Sequence, residues 1–308
     1  MNNKKIGILL ALFNGEKYLI DLLNSIANQD YQNWILFVSD DGSTDHSLRI
    51  LLRFREYHKN NKIIIYDGPR QGFAKNYLSL IRRTKNLCDY YAFCDQDDIW
   101  HKNKLSRALC FLELQSNSAP SLYGSSTRYI SEDGDFLMNS FIFQNPPCFE
   151  NAIVQNISGG NTMVFNQFAS NLIARTPINN KLAAHDWWTY ILVSGFTGYI
   201  YYDPTPSVDY RQHTAALVGE NRSIRAKFFR VRKVLDGQYK NWNTENLNML
   251  NYFENELPLK NKKTLIAFRN MRSQILFVRL FSYFSSEIRR QKFFDNLALL
   301  IAVFLNKV

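Results

Sequence analysis

Tyr90-Tyr91-Ala92-Phe93-Cys94-Asp95-Gln96-Asp97-Asp98-Ile99-Trp100 sets an unbroken apolar run directly before three carboxylates. Such a run, closed by an acidic turn, reads as a strand buried on both faces. The same pattern recurs upstream. Ile6–Phe13 is apolar and ends at Asn14-Gly15; Trp34–Ser39 closes on Asp40-Asp41-Gly42-Ser43; Lys62–Tyr66 stops at Asp67-Gly68-Pro69. Helical periodicity fills the gaps: residues 16–29, a helix capped by Ser43 or Thr44 and running to Tyr57, and Phe73–Arg83. Strands alternating with helices predict βαβ units and a mostly parallel, Rossmann-like α/β sheet. Ligands of such sheets bind at the carboxyl ends of the strands. Phe13-Asn14, Asp40-Asp41 and Asp95–Asp98 are therefore expected to converge.

Downstream the alternation weakens. Residues 104–117 and 166–175 read as helices; Ser121–Ile130, Thr162–Phe165 and Tyr199–Tyr202 read as strands, and Asp133-Gly134-Asp135 as a turn. From about Ser223 the pattern becomes one of long helices. Ile224, Phe228, Val231 and Leu235 form an apolar face amid Arg225, Lys227, Arg230, Arg232 and Lys233, and the chain closes on the apolar stretch Phe293–Leu305. Charge divides the 308 residues at the same place. Residues 1–219 are balanced, whereas 220–308 hold 17 basic and 7 acidic residues and so carry the whole net charge of +10. We read 1–219 as a globular domain and 220–308 as a basic helical extension. A hydrophobic content of 46% excludes a disordered chain. No apolar run approaches the ~20 residues of a membrane span. Cys88, Cys94, Cys110 and Cys148 lack metal-ligand spacing and read as reduced thiols of a cytoplasmic protein.

The acidic turn carries the chemistry. Carboxylates directly after a buried strand are costly unless solvated or paired with a cation. On an extended backbone Asp95 and Asp97 project to one side. Two hard oxygen ligands with open positions suit Mn²⁺ or Mg²⁺, with substrate phosphates completing the shell. Asp40-Asp41 reads either as an ordinary strand-to-helix turn or as an acceptor for a base imide N–H. In His185-Asp186-Trp187-Trp188, Asp186 reads as a helix cap beside core tryptophans, or as a partly desolvated base with indoles that stack on a sugar.

Taken together, Leu12–Leu19, Ser25–Gln29, Ser39–Asp45 and Asp95–Trp100 resemble the family-2 glycosyltransferases. Gly160–Asn166, His185–Trp188 and Tyr210-Arg211-Gln212-His213 resemble their bacterial rhamnosyltransferase-like branch, and the likeness covers roughly 1–219. The resemblance implies an A-type glycosyltransferase fold and inverting, metal-dependent sugar transfer. It places Ala11, Phe13, Asp40, Asp41, Lys75, Asp95 and Gln96 at the nucleotide, and Asp95, Asp97 and His213 at the metal. It makes Asp186 the general base. Arg211, Trp187, Trp188 and Gly160 become diphosphate or acceptor contacts, although Gly159-Gly160 stands where the family pattern has Gly-Cys. The donor implied is a dTDP- or UDP-sugar, rhamnose from dTDP-rhamnose foremost. The acceptor implied is a lipid-linked precursor of an O-antigen or capsule.

The basic tail reads as a contact with an anionic membrane surface, which would make the protein peripheral at the inner face of the cell membrane. A packing or homodimerisation element is the other reading. Nucleic acid is not expected, because no recognised binding module accompanies the charge. A catalytically silent scaffold subunit of a polysaccharide assembly complex is the alternative to an enzyme; intact Asp97 and Asp186 argue against it. A nucleotidyltransferase would want a Gly-rich basic loop after the first strand, and Asn14-Gly15-Glu16-Lys17 does not supply one.

Overall fold

The computed structural model describes residues 3–58, 62–116, 118–178, 181–212 and 237–308. Strands and helices alternate as β1 (Ile6–Leu12), α1 (Leu19–Ala27), β2 (Trp34–Asp40), α2 (Ser47–Tyr57), β3 (Lys62–Asp67), α3 (Phe73–Arg83) and β4 (Tyr90–Cys94). The four strands are parallel and lie in the order β4-β1-β2-β3. Side chains alternate between the two faces, and both faces are apolar, as burial on both sides requires. Leu9, Phe37, Tyr91 and Phe93 enter one core with α3, α6 (Gln167–Ala174) and α7 (His185–Gly195). Ile8, Leu10, Leu36, Val38 and Ala92 enter the other with α1, α2 and α4 (Lys104–Leu112). Gly7 is the exception in β1, and its neighbours explain it. A Cβ there would stand 2.9 Å from Tyr91 Cδ1 and 3.1 Å from Phe37 Cε2, so two rings occupy the space.

Beyond β4 the sheet gains β9 (Val164–Asn166), antiparallel between β4 and β6 (Ser121–Ser125), and β10 (Tyr199–Asp203), parallel to β6. A second sheet orders β5 (Ile99–Trp100), β11 (Val208–Arg211), β7 (Arg128–Ile130) and β8 (Phe136–Asn139) side by side.

Three local expectations change. Ser121–Ile130 is two strands in different sheets, because Ser126 N–H donates to Asp203 O (2.9 Å) and its Oγ donates to Pro204 O (2.7 Å), which bends the chain. The strand expected from Thr162 begins at Val164, since Gly160–Thr162 form a 3-10 turn. The first turn of α2 is bound by Asp45, whose carboxylate accepts from Ser47 N–H at 3.0 Å. Ser43 and Thr44 instead bond the Asn14 backbone and side chain.

The C-terminal helices are α8 (Gln238–Leu250), α9 (Leu259–Asn270), α10 (Leu276–Ser285) and α11 (Phe293–Phe304). Leu250, Phe253, Leu265, Phe268 and Leu299 join the same core as α3, α6 and α7. The basic helix expected around Ile224–Leu235 lies outside the described residues.

Candidate active site

The chain leaves β4 in a turn, so Asp95 and Asp97 are carried on that turn and not on extended backbone. Asp95 is half-buried, and its Oδ1 accepts a hydrogen bond from Tyr77 Oη at 2.7 Å. Burial, and then the neighbouring Asp97 carboxylate, push the Asp95 carboxyl up to about 7. Asp98 points inward. Its Oδ2 accepts from Asn161 Nδ2 at 2.5 Å, and burial followed by the charges of Asp97 and Asp95 raises it well above the carboxylate range.

The cation among these acids is Lys104, at the start of α4. It is fully buried, donates to Asn161 O, and stands 3.3 Å from the centre of the Trp100 ring. Burial pulls its ammonium from 10.5 down to about 7. Neither Lys104 nor Tyr77 is among the residues expected from sequence. Each had a signal: both fall on the buried stripe of an amphipathic helix, Lys104 with Leu105, Ala108, Leu109 and Leu112, and Tyr77 with Ala74, Leu78 and Ile81. A polar head on such a stripe needs a buried partner.

The β1 and β2 ends converge on this turn as expected. Gln96 Oε1 accepts from Phe13 N–H at 2.8 Å, and Gln96 Nε2 donates to Phe13 O at 2.9 Å. This amide, expected at a nucleotide, binds the protein's own backbone and locks the acidic turn to the end of β1. Phe13 itself is exposed, and Ala11 lies half-buried in β1 opposite Ser39. The Asp41 carboxylate accepts from Arg70 N–H (2.6 Å) and Gly72 N–H (2.9 Å), and Asp40 accepts from Ser43 N–H (3.2 Å). Both therefore shape the loops at the strand ends. Lys75 donates to Gln71, in the loop just before its helix, at 3.0 Å.

Asp186 occupies the first turn of α7. Its Oδ2 accepts from Gly160 N–H at 3.2 Å and its Oδ1 from Trp187 N–H at 2.7 Å, while burial raises its pKa. It is close enough to Asp95 for the two carboxylates to repel. The preceding residue, His185, is buried and stacked 3.9 Å from the Tyr77 ring, with no hydrogen-bond partner on either ring nitrogen. Burial pulls this imidazole down to about 3, so it is neutral at physiological pH. A Cβ on Gly160 would stand 2.5 Å from His185 Nε2, so only glycine allows this turn to approach α7 so closely.

Other expected contacts are corrected. Trp188 is fully buried and donates to Thr176 Oγ1 (2.8 Å); Trp187 is 6% exposed and donates to Ala152 O (2.7 Å). Both indoles fill the core and present no face to a sugar. Arg211 is buried as well. Its guanidinium donates to Asp97 O (3.2 Å), Glu132 O (2.6 Å) and Asp21 Oδ2 (3.0 Å) and lies over the Tyr18 ring, so it braces the acidic turn from behind. Its strand, β11, is fixed by Asp209, which lies 2.6 Å from His101 Nε2 and accepts from Arg128 Nε at 2.6 Å. His213 lies outside the described residues.

The turn fits a divalent cation held by few protein ligands. Asp95 and Asp97 are hard oxygen donors whose mutual repulsion a cation would relieve. Among the described residues no group of three or more His, Cys, Asp or Glu side chains could hold an ion alone. Such a cation would need oxygens from a ligand as well, as diphosphates supply.

Comparison with known proteins agrees with this arrangement. The model of the glycosyl transferase family 2 matches residues 8–170. The chain belongs to that family. It is 30% identical over 253 residues, 78% of this chain and 84% of the relative, to the dTDP-rhamnosyl transferase RfbG of Shigella flexneri. It is 25% identical over 194 residues, 63% of this chain and 74% of the relative, to the putative teichuronic acid biosynthesis glycosyltransferase TuaG of Bacillus subtilis (strain 168). Two solved structures share the fold. The mannosyltransferase PcManGT from Pyrobaculum calidifontis, in complex with GDP-Man and Mn²⁺, has a TM-score of 0.55 at 15% identity over 97% of this chain and 79% of that one. S. aureus TarS 1-349, in complex with UDP-GlcNAc, gives 0.53 at 16% identity over 89% and 82%. The protein is thus a nucleotide-sugar glycosyltransferase of family 2 with an A-type fold and C-terminal helices.

Proposed function

We propose that this enzyme moves L-rhamnose from dTDP-rhamnose, with inversion, onto a lipid-linked precursor of a surface polysaccharide such as an O-antigen or capsule. The name of the Shigella relative supports the donor, and that of the Bacillus relative supports polysaccharide synthesis. The observation that carries the chemistry is Asp186, oriented by Gly160 N–H and facing the acidic turn after β4. Burial makes it a stronger base than a solvated aspartate, and its hydrogen bonds fix its direction. Asp186 takes the proton of the acceptor hydroxyl as that oxygen attacks the anomeric carbon. Asp95 and Asp97 would hold Mn²⁺ or Mg²⁺, which when bound offsets the charge developing on the departing diphosphate. Asp40, Asp41, Ala11 and Phe13 would contact the nucleoside. Residues 1–219 carry this chemistry, and the basic helices of 220–308 bring it to the inner face of an anionic membrane.

A panel of nucleotide-sugars read by thermal shift with Mn²⁺, followed by nucleotide release, tests the reading. The expected result is the largest shift with dTDP-rhamnose, loss of the shift in Asp97→Ala, and normal donor binding without transfer in Asp186→Asn. Transfer by Asp186→Asn at the wild-type rate refutes the base. Absence of transfer from any donor favours the scaffold alternative.

A further inference from the structure

Helix α10 is built inside out, and α11 is apolar on its outer side as well as its inner one. α10 turns Arg279 and Ser282 inward and leaves Phe277, Phe281 and Phe284 at 76%, 63% and 71% exposure. The Arg279 guanidinium is committed to carbonyls, with Nε donating to Val303 O (2.8 Å) and Nη2 to Phe304 O (2.9 Å). It thus binds the end of α11, where a helix welcomes a cation. α11 in turn buries Leu299, Ala302 and Val303, and exposes Phe293, Leu297, Ile301 and Phe304 along one stripe. Tyr283 Oη donates to Asn296 O at 3.2 Å and ties the two helices, each with its apolar stripe, into one plate.

Monomeric proteins rarely leave so many large apolar side chains on adjoining helices to water. Charge decides what covers it. Arg289, Arg290 and Lys292 stand in the link between the helices, and 220–308 hold 17 basic against 7 acidic residues. Two copies meeting through this face would press like charges together, whereas an anionic bilayer opposes them. No helix among the described residues is long and apolar enough to cross a membrane. Short amphipathic helices rich in Phe and Leu lie within the headgroup and acyl boundary.

We propose that α10 and α11 lie in the plane of an anionic bilayer with Phe277, Phe281, Phe284 and Phe293 among the acyl chains. This rests on the membrane part of the proposed function and adds insertion by a defined plate to attraction by charge.

The test is co-sedimentation of the full chain with phosphatidylcholine–phosphatidylglycerol vesicles, without donor, in low salt and in about 1 M salt, where the Debye length is about 3 Å. The wild type is expected to bind in both. The Phe277→Ser, Phe281→Ser, Phe284→Ser variant is expected to bind roughly a thousandfold more weakly, about tenfold per phenylalanine. Its circular dichroism should be unchanged. Binding abolished by salt alone overturns insertion and leaves the electrostatic reading standing; no binding in either salt overturns both. A wild-type dimer in vesicle-free buffer, dissociated by the same substitutions, assigns the plate to a second copy and overturns the proposal. Should the triple variant not fold, Phe281→Trp reports instead. Quenching by acyl-chain bromines is expected, and its absence overturns insertion.

Discussion

Lys104→Met isolates the buried cation, and its effect has a sign that pH reveals. The wild-type ammonium is displaced by burial from 10.5 to about 7 in the folded protein. The unfolded chain therefore binds more protons than the folded one between those values. Stability from this residue is fully present above about 10.5 and is lost as the pH falls through 7. Between pH 7 and 9 the unfolded lysine stays protonated while the folded one empties. Integrating the difference in bound protons gives about 2 kcal/mol of stability gained by the wild type relative to Lys104→Met over that range. Titrating groups remote from Lys104 cancel in the comparison, whereas Asp95, whose carboxyl the Lys104 charge lowers, moves with the substitution. Methionine keeps the volume and the contact with Trp100, which limits packing loss. Urea unfolding of both proteins at pH 7, 8 and 9 reads the effect. A difference that varies by less than about 0.5 kcal/mol across the series refutes the reading of Lys104 as a buried, depressed lysine.

His185 gives the complementary acid-side effect: with its pKa lowered from 6.5 to about 3, the wild type loses up to about 1.4 kcal/mol per unit as the pH falls between those values, and His185→Phe flattens that slope in the same unfolding assay. Gly160→Ala sets a Cβ against His185 Nε2, so we expect about 1–3 kcal/mol of destabilisation and at least a tenfold lower transfer rate, measured by thermal unfolding and product formation. Trp188→Phe removes the bond to Thr176 and core volume, so it costs about 1–3 kcal/mol while donor and acceptor KM stay unchanged; a raised acceptor KM would restore the indole to the sugar site.

The parallel half of the fold was legible because local signals agree there. Apolar runs of strand length end on turn residues and alternate with amphipathic helices, so β1 to β4 and α1 to α3 follow from pattern alone. Past β4 the pattern fails for a physical reason. β9 is three residues long and pairs with two strands distant in sequence, and β6 and β7 part at hydrogen bonds that no periodicity encodes. At the site, the carboxylates were visible as residue types, but their division of labour was not. Asp98 turns inward to Asn161 while Asp95 stays half-buried beside Tyr77, and only the turn geometry separates them. Trp187 and Trp188 mislead because the same residue serves sugar binding and core filling, and only burial tells the two apart.

The exchange between Gln96 and the Phe13 backbone has a mechanical meaning. The β1–β4 ladder ends at the pair Leu10 and Cys94, yet the two chains are joined again beyond it through a side-chain amide. A rung made of backbone is indifferent to sequence; this one is written by a single codon. Shortening it by one methylene, as in Gln96→Asn, pulls the amide away from its two partners and removes both bonds that tie the acidic turn to Phe13. Under the proposed function, the distance from nucleoside to diphosphate would then follow the length of one side chain.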